Sequence, residues 1–196
     1  MGCGFQVGGL NTQQVIEMAE AVGGSSFAEL SARMQPLSSV KAPPAGWAAG
    51  EWYDYSVAGF LKSGSAAVLK AQLLADNALV LEQLAMPSHQ ALVGPLLKAV
   101  RLLRDAKQRL GIPVAALRFS FGGQRFSLTF VHSSGCQGSP FMDGTGSGGC
   151  FCLVNEATRA QLRFAGLAPV MAFRYGFYQD SAYRLEPAEV KRVLHT

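Results

Sequence analysis

The chain has 196 residues, a net charge of +4 and a pI near 9.0, with 15% charged against 49% apolar side chains. That length holds about one domain, with core enough to fold without disulfide staples. So few charges leave more apolar surface than a solitary soluble chain covers easily, so part of the exterior is expected to be buried against other subunits.

No run of about 18 apolar residues is present to span a membrane. The first residues lack the basic-then-apolar pattern of a secretory leader. The expectation is therefore a cytoplasmic or particle-associated protein, its four cysteines read as reduced thiols and not as a disulfide framework. Gly2-Cys3 hints at acylation, but Gln6 stands where the myristoylation pattern wants Ser or Thr.

Along the chain, Asn11 or Thr12 caps a first helix, with Val15, Met18, Ala19 and Val22 at helical spacing and Gly23 as its stop. Ser26 and Glu29 form a capping box for a second helix that Pro36 ends. Residues 41–65 are a Pro, Gly and aromatic connector that neither a helix nor a central strand tolerates. Its Trp47, Trp52, Tyr53 and Tyr55 are either a clamp onto the body or a docking surface. The expected organisation is a helical segment at 1–40, the connector at 41–65 and an α+β domain at 66–196.

Within that domain, 66–85 reads as a hairpin turning at Asp76-Asn77, against an Ala/Leu content that favours helix. Pro95 is expected in the first turn of a helix ending at Gly111. That helix carries Lys98, Arg101, Arg104, Lys107 and Arg109. These are either a solvated face or a weak claim on nucleic acid or another acidic polymer.

Gly122-Gly123 predicts a two-residue β-turn setting Phe119 opposite Phe126, Leu117 opposite Leu128 and Ala115 opposite Phe130. Those six share a dry face; Arg118, Ser120, Arg125, Ser127 and Thr129 share a wet or interfacial one. Further on, a strand is expected over 150–154, a helix from Asn155 to Gly166, a strand over 170–177 and a last helix after Pro187. The sum is an α+β fold: a largely antiparallel sheet with helices on one face, preceded by an N-terminal helical pair.

The stretch from His132 to Cys152 concentrates the chemistry. Its Gly144-x-Gly146-x-x-Gly149 spacing leads into a strand, whereas a dinucleotide loop opens a helix, and the Lys-Ser/Thr ending of a phosphate loop is missing. His132, Cys136, Cys150 and Cys152 supply the four soft ligands of a structural zinc, though without a Cys-x2-Cys turn. Cys136 as thiolate, His132 as base and Asp143 as orienting carboxylate would make a cysteine nucleophile, and a disulfide from Cys136 to Cys150 or Cys152 is a further alternative. Against these stands structure: Cys150 and Cys152 as core positions of a strand covered on both faces, and a long Gly/Ser excursion forming an ordered arm. The favoured expectation is a non-catalytic structural or accessory subunit of a larger assembly, such as a viral or phage particle. It would dock through the sheet face, the arm with Phe141 and Met142, and the aromatic segment.

Overall fold

The computed structural model describes residues 13, 16, 17, 26, 28, 29, 66–110, 116–141, 143–180 and 184–195, with backbone alone at 66, 107–110, 132–137 and 148. Of the expected N-terminal helical pair, residues 13, 16, 17, 28 and 29 are helical. The capping box forms: Ser26 N–H donates to the Glu29 carboxylate at 2.7 Å and Glu29 N–H donates to Ser26 Oγ at 3.3 Å. The connector and its four aromatic residues lie outside the described residues.

Helix α1 (Ala66–Ala78) passes into a π-helical turn (Leu79–Gln83). The hairpin expected here is a helix, because Asp76-Asn77 is no exposed turn. Asp76 is fully buried against Arg184, Asn77 meets His89, and the Ala/Leu background then prevails. Helix α2 (His89–Leu110) starts a turn and a half before Pro95, because Ser88 accepts from Ala91 N–H on its hydroxyl (3.0 Å) and from Leu92 N–H on its carbonyl (3.2 Å). Pro95 is thus an interior helical residue.

Four strands follow, β1 (Ala116–Phe121), β2 (Gln124–Gly138), β3 (Gly146–Asn155) and β4 (Gln161–Ala165), antiparallel throughout and in sequential order across one sheet. The glycine turn gives the expected register, Phe119 opposite Phe126 and Leu117 opposite Leu128, with Gly122 and Gly123 both at positive φ. Ala115 lies outside the described residues. The supposed excursion at 132–152 is paired backbone. After a register shift between Val131 and Cys136, β2 continues against β3 from Cys136–Gly148 to Gly138–Gly146, and Ser139 to Thr145 turn between them. Gly149, at φ 101, has no room for a β-carbon under the Phe130 ring.

The helix expected after Asn155 is a tight turn and β4. The Asn155 side chain does accept from Ala157 and Thr158 N–H (3.0 and 3.2 Å), as a helix cap would. Arg159 then takes φ 62 and the chain returns along β3. The strand expected at 170–177 is helix α3 (Ala168–Tyr175), with Pro169 in its first turn and Gly176 closing it at φ 63. Helix α4 (Pro187–Leu194) begins at the expected proline.

Leu92, Leu96, Val100 and Leu103 of α2, Ala168 and Ala172 of α3, and Val190, Val193 and Leu194 of α4 pack on Phe126, Leu128, Phe151, Leu153, Leu162 and Phe164 of the sheet. The fold is α+β, with the helices on one face of an antiparallel sheet. Among the described residues no helix is long and apolar enough to cross a membrane.

Candidate interaction surface

The alternation that buries one face of the sheet presents the other. β1 offers Ala116, Arg118 and Ser120, all exposed; β2 offers Arg125, Ser127, Thr129 and Val131; β3 offers Cys150, Cys152 and Val154; β4 offers Gln161, Arg163 and Ala165. No described helix packs on this face, and Val131 is 46% exposed.

Register aligns it in rows: Arg118, Ser127, Val154 and Gln161 in one, Ala116, Thr129, Cys152 and Arg163 in the next, and Val131, Cys150 and Ala165 in a third. Beyond Arg125 small side chains fill the two central strands, while arginine stands on both edge strands. Arg118 reaches Glu156 at 3.2 Å, with 86% of its side chain still exposed.

This placement corrects the expectation for Cys150 and Cys152. They are not core residues covered on both faces but half-buried free thiols on the open face. A strand covered on one side only puts every second residue here, where small Cys, Ser and Thr side chains shade one another. The backbone brings Cys136 opposite Gly148, two residues along β3 from Cys150. The side chains of His132 and Cys136 lie outside those described, as does Met142. Among the described residues no three His, Cys, Asp or Glu side chains converge as metal ligands would.

Asp143 holds the turn at the end of the ribbon. Thr145 donates to its Oδ1 through its backbone N–H (3.0 Å) and its hydroxyl, while Arg174 (2.6 Å) and Tyr175 (2.8 Å) donate to Oδ2. Burial pushes the carboxyl up, but these bonds outweigh it and hold the pKa at about 2, and the Tyr175 phenol is driven up in turn by burial and by Asp143. Oδ1 is therefore engaged in closing the turn and Oδ2 in tying the ribbon to α3, which leaves neither for orienting a histidine base. Phe141 is turned inward, 1% exposed and stacked on Tyr175 with ring centroids 3.7 Å apart, so it adds nothing to an outer surface. On α2, Lys98, Arg101 and Arg104 are exposed, and Arg104 also donates to Ser147 Oγ on β3, while the side chains of Lys107 and Arg109 lie outside those described.

A second cluster had no signal in the sequence. Arg184 clasps Asp76 with two nitrogens (2.6 and 3.2 Å) and donates to the Gln179 carbonyl (2.7 Å), and Gln72 completes the carboxylate's shell at 3.0 Å. Burial pushes the Asp76 carboxyl above its ordinary range against the pull of Arg184. Alongside, His89 Nδ1 meets Tyr178 Oη at 3.0 Å and Nε2 meets Asn77 Oδ1 at 3.1 Å. A neutral ring carrying its proton on Nε2 satisfies both contacts, in keeping with burial, which lowers the His89 pKa to about 4. Gln179 is fully buried at φ 65, with neither amide atom hydrogen-bonded.

Comparison with protein-family models, with curated proteins and with solved structures finds no match to this chain.

Proposed function

We propose that this chain is a non-catalytic structural or accessory subunit of a larger protein assembly, docking through the open face of its sheet. A viral or phage particle is one setting of that kind. The observation that carries the reading is the sheet's one-sidedness. Four paired strands bury one surface under α2, α3 and α4, while the other, floored by small and apolar side chains, has no covering layer among the described residues. The low charge content supports the same reading.

Size-exclusion chromatography with light scattering at micromolar concentration tests it. The expected result is a species heavier than the 20.8 kDa protomer, or aggregation of the chain without its partner, with Thr129→Arg or Val131→Glu shifting it toward the protomer mass. A monodisperse protomer at every concentration would rule out self-assembly through this face, and the same protomer with Cys150 and Cys152 closed to maleimide would sink the docking role itself.

The second reading is a zinc-dependent or cysteine-dependent centre on His132, Cys136, Cys150 and Cys152. Its support is that Cys150 and Cys152 share the open face, with the Cys136 backbone in register beside them. Metal analysis of the purified chain, expected at one zinc per protomer on this reading, separates it from the first. So does alkylation of Cys136 followed by an activity screen.

A further inference from the structure

We infer that the occupant of the open face is an amphipathic α-helix of a partner protein, its apolar stripe flanked on both sides by acidic residues. The inference rests on the docking role proposed above and assigns the chemical class of the partner.

The floor of the face runs along the two central strands: Ser127, Thr129 and Val131 on β2, Cys150, Cys152 and Val154 on β3. None is larger than valine, so a partner backbone can approach closely. Arg118 stands on edge strand β1 and Arg163 on edge strand β4, in adjacent rows. Three interstrand gaps separate them, about 14 Å at the usual spacing. A helix with its side chains is about 10 Å across. It fits lengthwise over the floor, each flank facing one arginine, and Arg125 stands near the end of the floor by the glycine turn.

Charge selects among occupants. Among the described residues this face carries Arg118, Arg125 and Arg163 against one acid, Glu156, which pairs with Arg118, so a second copy laid face to face would oppose like charges. A nucleic-acid strand would use the arginines but would find no aromatic side chain on the floor to stack on, and would leave Val131 and Val154 without apolar contact.

The test uses the full chain and three synthetic helical peptides of about 18 residues, roughly 27 Å long. One has a Leu/Ala stripe with Glu flanks, one the same stripe with Lys flanks, and one Glu flanks with the stripe replaced by Ser and Gln. Fluorescence anisotropy is expected to show the first peptide binding at least about tenfold more tightly than either other. Binding should weaken with added salt and by about tenfold in Arg118→Glu and in Arg163→Glu, while Arg118→Lys retains it. The bound peptide should also slow maleimide labelling of Cys150 and Cys152. Because both arginines are exposed edge-strand residues, an unchanged melting temperature in the variants separates lost contact from lost fold.

Equal binding of the Lys-flanked peptide, equal binding of the stripe-less peptide or no binding at all overturns the inference. So does an oligomer that shields the thiols unaided and excludes the Glu-flanked peptide. That last result would name a second copy as the occupant while leaving the docking role intact.

Discussion

At the level of single residues, the most consequential are those the sequence hides. His89 is 3% exposed, and its pKa of about 4 against an ordinary 6.5 means that the unfolded chain takes up a proton the folded chain refuses. Its contribution is intact above pH 6.5 and drains away as the pH falls toward 4, by about 3 kcal/mol in all. In urea denaturation at stepped pH, wild type should lose stability between pH 6.5 and 5 more steeply than His89→Gln; parallel curves would contradict this. The Asp76–Arg184 pair gives a second prediction. Asp76→Asn leaves a largely buried guanidinium with only the half-exposed Glu186 (2.8 Å) as a carboxylate partner and should cost about 3 kcal/mol, whereas the double variant Asp76→Leu/Arg184→Met should cost clearly less, because no buried charge remains. A double variant as unstable as the worse single one would refute that account. None of this was legible beforehand, since the pair spans 108 positions and Asp76-Asn77 looks locally like a turn. A side chain's local preference carries no word of a partner a hundred residues away.

At the scale of elements, legibility followed how local the determining forces are. The Gly122-Gly123 hairpin came out in register because two glycines at positive φ and the facing pairs Leu117–Leu128 and Phe119–Phe126 fix it within twelve residues. Helix α4 was legible from Pro187 for the same reason. α3 was readable in principle from Ala168-Pro169 and Gly176, a helix start and stop eight residues apart, but its apolar run also suits a buried strand. Asn155 misled differently. Its capping bonds are real, yet Nδ2 also donates to the Val193 carbonyl at 3.1 Å, binding the β3–β4 turn to α4. Pairing along β3 then wins over helix propagation. Of the candidate site, the open face of β1 and β2 was legible, and its β3 and β4 half was not, because β4 was not foreseen. Asp143 supplies the prediction at this scale. Its depressed pKa gives stability that is complete above about pH 4 and is lost as the pH falls through about 2. Asp143→Asn should lower stability at pH 7 by about 2 kcal/mol and flatten the acid limb of the profile, leaving the ribbon turn the first place to gain hydrogen exchange. Unchanged exchange across residues 139–145 would mean that the turn is held by Phe141 and Tyr175 instead.

For the molecule as a whole, the decisive asymmetry is that all the described helices able to cover the sheet lie on one side of it. The buried face supplies the cohesion: Phe126, Leu128, Phe151 and Leu153 are at most 1% exposed beneath α2 and α4. The open face contributes little to folding, so its composition is freer to answer to something outside the chain. Cys150 and Cys152 are native reporters of that distinction. If the face is open in the isolated protomer, iodoacetamide reaches them without unfolding, and the labelling rate stays flat in urea until the global transition begins. If a layer covered them, labelling would require opening and would rise with urea from the start. Mass spectrometry of labelled peptides at dilute concentration should therefore give the flat response at both cysteines. The same measurement at concentrations where light scattering detects assembly should give slower labelling if this face is the one consumed. Labelling that is slow and urea-dependent even in the dilute protomer would remove the open face on which the docking proposal depends.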